Sequence, residues 1–191
     1  MERNIVKLSG KVVSIRKAKT ATIITICTTS IYKGKVIPNF PRVIWRLDDE
    51  RLENIQLHDK VFVTGELRGI KKYNEDGTAT YPQSIYGISI TPGSSMTDEQ
   101  ENEVVLSGIV TNVYAPSNKI SYCNVKVSTE AGRDTYVLIR SYGNVADFVK
   151  NQVQKDDNVT ITGRIQTTKY NDDNDKVKFD EYIVADKFVK I

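Results

Sequence analysis

Two short strings set a cation beside an aromatic ring: Lys72-Tyr73-Asn74 and, further on, Lys169-Tyr170-Asn171. A lysine can neutralise a phosphate and a tyrosine face can stack on a base, so the pairing suits an extended polyanion with unstacked bases. Each string closes a longer one. Val61 to Asn74 reads VFVTGELRGIKKYN and Val159 to Asn171 reads VTITGRIQTTKYN, with Thr64-Gly65 answering Thr162-Gly163. In the second copy Arg164, Lys169 and Tyr170 fall on one expected strand and its hairpin, Tyr136 and Arg140 on the strand before it, and Tyr142 just beyond. Alternation puts Tyr136, Leu138 and Arg140 on one face and Val137 and Ile139 on the other. A strand tyrosine serves packing as readily as a ligand. The recurrence of Lys-Tyr at one place in both copies puts the ligand reading level with the packing one.

Catalysis finds no comparable support. The only histidine, His58, lies in an expected turn, and no serine or cysteine has a matched histidine. No Gly-rich phosphate loop of the Walker type occurs. Asp172, Asp173 and Asp175 lack the Gly and terminal Glu of an EF-hand, which leaves an exposed hairpin tip. Cys27 and Cys123 sit in apolar strand patterns without clustered histidines and read as buried, reduced thiols, not zinc ligands. The expectation is therefore no enzyme, no catalytic residue, no metal and no cofactor.

The elements that must position these residues are themselves repeated. Leu8-Ser9-Gly10 recurs as Leu106-Ser107-Gly108, at the same offset of 98 that separates the two Thr-Gly pairs. Apolar alternation predicts five strands in the first copy, at Val6–Ile15, Ala21–Cys27, Arg42–Trp45, Val61–Leu67 and Tyr81–Ile90. In the second copy it predicts Val104–Val113, Ser121–Val127, Thr135–Arg140, Val159–Ile165 and Lys178–Phe188. Helical spacing predicts a short helix between the third and fourth strands of each, at Asp48–Leu57 and Asn144–Val153. The class is all-β with one short helix per module, and the order of elements is that of the OB-fold, a five-stranded Greek-key barrel, here twice in tandem. An SH3-like barrel or small sandwich fits less well because of the intervening helix. Residues 1–93 form module 1, the acidic stretch 94–102 a linker, and 103–191 module 2.

Of the net charge of +3, residues 1–94 hold 15 basic against 9 acidic side chains, and residues 104–191 hold 12 against 11. A polyanionic partner is compatible with this balance but not required by it. No apolar run approaches the roughly 20 residues that span a bilayer, and the N-terminus has no signal-peptide pattern. The expected setting is cytoplasmic, with no membrane partner.

Module 2 also resembles a known family, the bacterial single-stranded DNA-binding proteins. YGNVADF at Tyr142–Phe148 is similar to its F-G-K-L-A-E helix entry, GRIQTTKY at Gly163–Tyr170 to G-x-L-R-T-R-K-W, and YIVADKF at Tyr182–Phe188 to its closing E-I-V-A-D strand. The resemblance covers residues 104–191 well and 4–90 more weakly. It implies binding of single-stranded DNA without sequence preference, in replication and repair. It further implies stacking roles for Tyr170, Tyr142 and Tyr136, and in module 1 for Tyr32, Trp45 in the place of Tyr142, and Phe40 near Tyr136. Tyr73 falls one residue late relative to Tyr170. Lys33, Lys35, Arg42, Arg46, Arg68, Lys71 and Lys72 complete the expected surface of module 1. The family assembles four folds, a number two copies of this chain would reach as a homodimer. It also recruits partners through an acidic, Phe-tipped tail, whereas this chain ends Phe188-Val189-Lys190-Ile191, so such recruitment is not expected. A tandem form without that tail would suit a plasmid, phage or mobile element. Two other readings stay open: an OB-fold protein-interaction module in a replication or DNA-transfer assembly, and single-stranded RNA binding.

Overall fold

Apolar alternation becomes strand in both halves of the computed structural model, which describes residues 3–32, 34–69, 72–73, 75–77, 79–80, 82–93 and 100–191. The first half holds Arg3–Lys17 (β1), Ala21–Tyr32 (β2), Lys35–Asn39 (β3), Arg42–Arg46 (β4), Lys60–Gly69 (β5), Lys72–Tyr73 (β6), Ala79–Thr80 (β7) and Gln83–Pro92 (β8). The second holds Asn102–Ser117 (β9), Ile120–Ser128 (β10), Asp134–Tyr142 (β11), the helix Gly143–Gln152 (α1), Asn158–Asn171 (β12) and Val177–Lys190 (β13). Strands β1, β2, β4, β8 and β5 close on one another, with only the β4–β8 contact parallel. Strands β9, β10, β11, β13 and β12 close the same way, with β11–β13 parallel. Each half is thus a five-stranded OB barrel. Inward residues such as Leu8, Ile24, Val43 and Ile85 in one, and Leu106, Cys123, Ile139 and Ile183 in the other, fill the interiors.

The repeat holds at the level of single hydrogen bonds. His58 and Asp156, 98 residues apart, both have positive φ, and their N–H groups donate to Val12 O and Val110 O, each at 2.8 Å. The Thr-Gly pairs are β-bulges: pairing of β5 with β8 shifts between Thr64 and Gly65, and that of β12 with β13 between Thr162 and Gly163. A side chain on Gly65 would meet the Tyr86 carbonyl oxygen at 2.7 Å, and one on Gly163 would run into that of Val184. Glycine is required here for close approach of backbone to backbone.

The two barrels share one sheet. β1 runs antiparallel to β9 with Val6 opposite Val104, so equivalent residues face each other across a local twofold axis. Asn4 donates to Leu67 O and accepts from its N–H, both at 2.9 Å; Asn102 does the same with Ile165, at 2.8 and 2.9 Å. Among the described residues, no helix is long and apolar enough to cross a membrane.

Three expectations need correction. The module 1 helix is only a 3-10 turn, Glu50–Leu52. Thirteen residues separate β4 from β5 where fifteen separate β11 from β12, so the first connection has less room for a helix. β3 was not anticipated; it forms a hairpin with the end of β2. Cys123 is buried, which pushes its thiol up to about 12, but Cys27 lies on the outward side of β2 and is only half-buried. Of the acidic linker, residues 94–99 lie outside the described residues, while Glu101 bonds through its backbone to Ser9.

Candidate nucleic-acid interface

The outer face of β10 and β11 carries the densest ring cluster. Val137, Ile139 and Ser141 are fully buried, so strand alternation turns Tyr136, Leu138, Arg140 and Tyr142 outward. Tyr122, opposite Arg140 in the β10–β11 register, stacks on Tyr114 at the end of β9 with centroids 6.3 Å apart and planes 22° from parallel. The Arg140 guanidinium lies 3.8 Å from the Tyr182 ring centroid and 5.9 Å from that of Tyr122, and donates to Asp180 at 2.9 Å. Its Nε is buried with no hydrogen-bond partner. Tyr114, Tyr122 and Leu138 line a groove of about 540 Å³. Burial, more than the neighbouring charges, raises the Tyr182 phenol above its ordinary value.

A second cleft, of about 550 Å³, lies between the modules. Tyr142, Arg164, Gln166 and Asp186 of module 2 face Ser30 and Ile37 of the β2–β3 hairpin across it. The hairpin is held there by Asn39, which accepts from Thr167 N at 3.1 Å, and by Phe40 N, which donates to Thr167 Oγ1 at 2.9 Å. Arg164 is paired with Asp186. At the far end of β12, Lys169 and Tyr170 are exposed, with Tyr170 opposite Lys178. The acidic tip beyond them is a hydrogen-bonded turn. Asp172 accepts from the N–H groups of Asn174 and Lys176 and pairs with Lys178 at 2.8 Å, which lowers its pKa. Among the described residues no cluster could hold a metal ion.

Module 1 offers fewer rings. Trp45 is 2% exposed, packed against Gly87 where no side chain would fit, with the Arg51 guanidinium 5.1 Å from its ring. Its expected stacking role is corrected by this burial. The register explains the slip: Val43 and Ile139 occupy matching places in the parallel contacts to Ile85 and Ile183, so Ser141 is the counterpart of Trp45, and Arg46 that of Tyr142. By the same count Phe40 does match Tyr136, and it is partly exposed. Arg42 lies 4.0 Å from Glu181 of module 2, and Arg68 pairs with the buried Glu66 at 2.7 Å while covering the Tyr86 ring. Lys35 and Arg46 are exposed, and neither has an ion pair among the described residues. Tyr73 is exposed on β6, which pairs only with β7 among the described residues, outside the main sheet. Lys33 and Lys71 lie outside the described residues, as do the side chains of Tyr32 and Lys72.

The model of the single-strand binding protein family matches residues 101–191. The second module belongs to the single-strand binding protein family. Two crystal structures of the Thermus aquaticus single-stranded DNA binding protein, the wild type and a deletion mutant, match the whole chain. Each has a TM-score of 0.73 at 15% identity and covers 100% of this chain, with 93% and 95% of the other chain covered. At that identity the likeness establishes the two-barrel fold. No curated protein matches in sequence.

In this module, residues taken in sequence order do not reveal Tyr114, Tyr122 and Tyr182 as parts of the face. The signal was present for Tyr122, since the burial alternation of β10 leaves it outward, between Ser121 and Cys123. Tyr114 and Tyr182 become neighbours of that face only through barrel closure, which no local pattern encodes.

Proposed function

We propose that the chain binds single-stranded DNA without sequence preference. The strand would run along the β10–β11 face of module 2 and across the inter-module cleft toward the basic first module. The observation that carries this reading is the exposure of Tyr136, Tyr142 and Tyr170, at 44, 43 and 47%, on a module that also carries the stacked Tyr114–Tyr122 pair. None of these three rings is needed to fill the barrel, and each offers a face to a base. Family membership of module 2 supports it independently. Phosphate neutralisation falls to Lys35, Arg42, Arg46 and Lys169, with Arg68, Arg140 and Arg164 positioned by carboxylates and contributing less net charge. The role is binding and not catalysis, residues 1–93 and 103–191 act as two units joined by 94–102, and pairing of two chains would give four OB-folds.

The test is a titration of the purified protein with an oligothymidine, wild type against Tyr142→Ala with Tyr170→Ala. Loss of most of the affinity in the double variant supports the stacking path. Undiminished binding would assign the contact to another surface, and absence of any DNA binding would leave the barrel as a protein-interaction module. A parallel titration with oligouridine measures the DNA-over-RNA preference.

A further inference from the structure

The contacts between the modules repeat about the local twofold, with one substitution that changes their chemistry. Gln83 of β8 reaches across to β11, where its Oε1 accepts from Leu138 N at 2.8 Å and its Nε2 donates to Leu138 O at 3.1 Å. Under the repeat Gln83 corresponds to Glu181 of β13, and Leu138 to Arg42 of β4. Glu181 reaches across in the same way, and its Oε2 accepts from Arg42 N at 2.8 Å. A neutral carboxylic acid has one donor and one acceptor, as an amide does, whereas a carboxylate can only accept.

We propose that Glu181 is a protonation-sensitive pin between the modules: as the neutral acid it grips the backbone of Arg42 on both sides, as Gln83 grips Leu138, and as the carboxylate it keeps only the N–H. The site is built for the neutral form. The Glu181 side chain is 12% exposed and lies at a small inter-module cavity of about 190 Å³ completed by Thr25, Phe40, Thr167 and Phe179, none of them charged. The charged groups that face it are Arg42, whose Nε is 4.0 Å away, and Asp180 on its own strand, itself bonded to Arg140. Burial raises the Glu181 pKa to about 7, against the lowering effect of Arg42 and with help from Asp180. A raised folded-state value means that the folded protein binds the extra proton. The stabilisation is complete below the ordinary value of 4.5 and is lost as pH rises from there to about 7.

The test compares thermal unfolding of the wild type and Glu181→Gln across pH 4.5 to 8.5, and needs no nucleic acid, so its outcome is separate from that of the binding reading. The two should unfold together near pH 4.5, and E181Q should gain at least about 3 °C over the wild type above pH 7. A constant difference at all pH values would overturn the proposal. Should E181Q not fold, the side-chain carboxyl of Glu181 followed by carbon NMR in the wild type decides: a midpoint near 7 supports the pin, and one near 4.5 overturns it.

Discussion

Tyr136 and Tyr142 keep nearly half their surface in water on a strand whose alternate residues are fully buried, so their rings add little to the barrel. A base laid on such a ring gains roughly 1–3 kcal/mol. Tyr142→Ala and Tyr170→Ala should each raise the dissociation constant for an oligothymidine by about one to two orders of magnitude, read by fluorescence anisotropy of a labelled strand. Melting temperature should change little in either variant, which separates lost stacking from lost folding. Trp45 makes the converse case. With its ring enclosed by Gly87 and Arg51, its emission should be blue-shifted and resist quenching by iodide, with or without DNA. An emission maximum typical of water would place that ring at the surface and restore it to the binding face.

Among the elements, the bulged strands and the β12–β13 hairpin set where the rings point. Gly163→Ala drives a methyl group into the Val184 carbonyl, and should cost roughly 1–3 kcal/mol in urea unfolding. At the hairpin tip, Asp172→Ala frees the N–H groups of Asn174 and Lys176 and should speed their hydrogen exchange. The wild type should show the same loosening in acid. The Lys178 hydrogen bond, followed by the two backbone donors, depresses the Asp172 pKa, so the ordered tip persists above the usual 3.8 and is lost as pH falls through the lower folded-state value. These elements were largely legible in the chain. The Thr-Gly repeat marked the bulges, and alternation placed Tyr136 and Arg140 on the correct face. Trp45 was misplaced because the strands holding Trp45 and Ser141 are offset by 96 residues, not by the 97 that would align it with Tyr142. A slip of one residue exchanges the faces of a strand. The missing helix has a related cause, the two residues by which the first connection is shorter.

At the scale of the molecule, duplication has produced two barrels locked through β1 and β9 and through side chains that satisfy backbone groups of the partner strand. Gln83 does so for Leu138 across the junction, and within module 1 Asn4, 8% exposed on β1, occupies both the donor and the acceptor of Leu67. Asn4→Ala leaves those groups unsatisfied and should cost about 1–3 kcal/mol, measured as a lower denaturation midpoint. The lock was only partly legible in sequence. The repeat announced two modules, but the pairing of Val6 with Val104 and the reach of Gln83 and Glu181 across the junction depend on how the barrels meet. The central claim is that this locked pair binds a single DNA strand through phosphates and rings together. It is tested most directly by titrating the intact chain with poly-dT over a range of salt concentrations. The account predicts binding at low salt and a logarithmic affinity that falls linearly with the logarithm of salt, at about 0.7 per phosphate neutralised. No complex at low salt, or an affinity indifferent to salt, would contradict it.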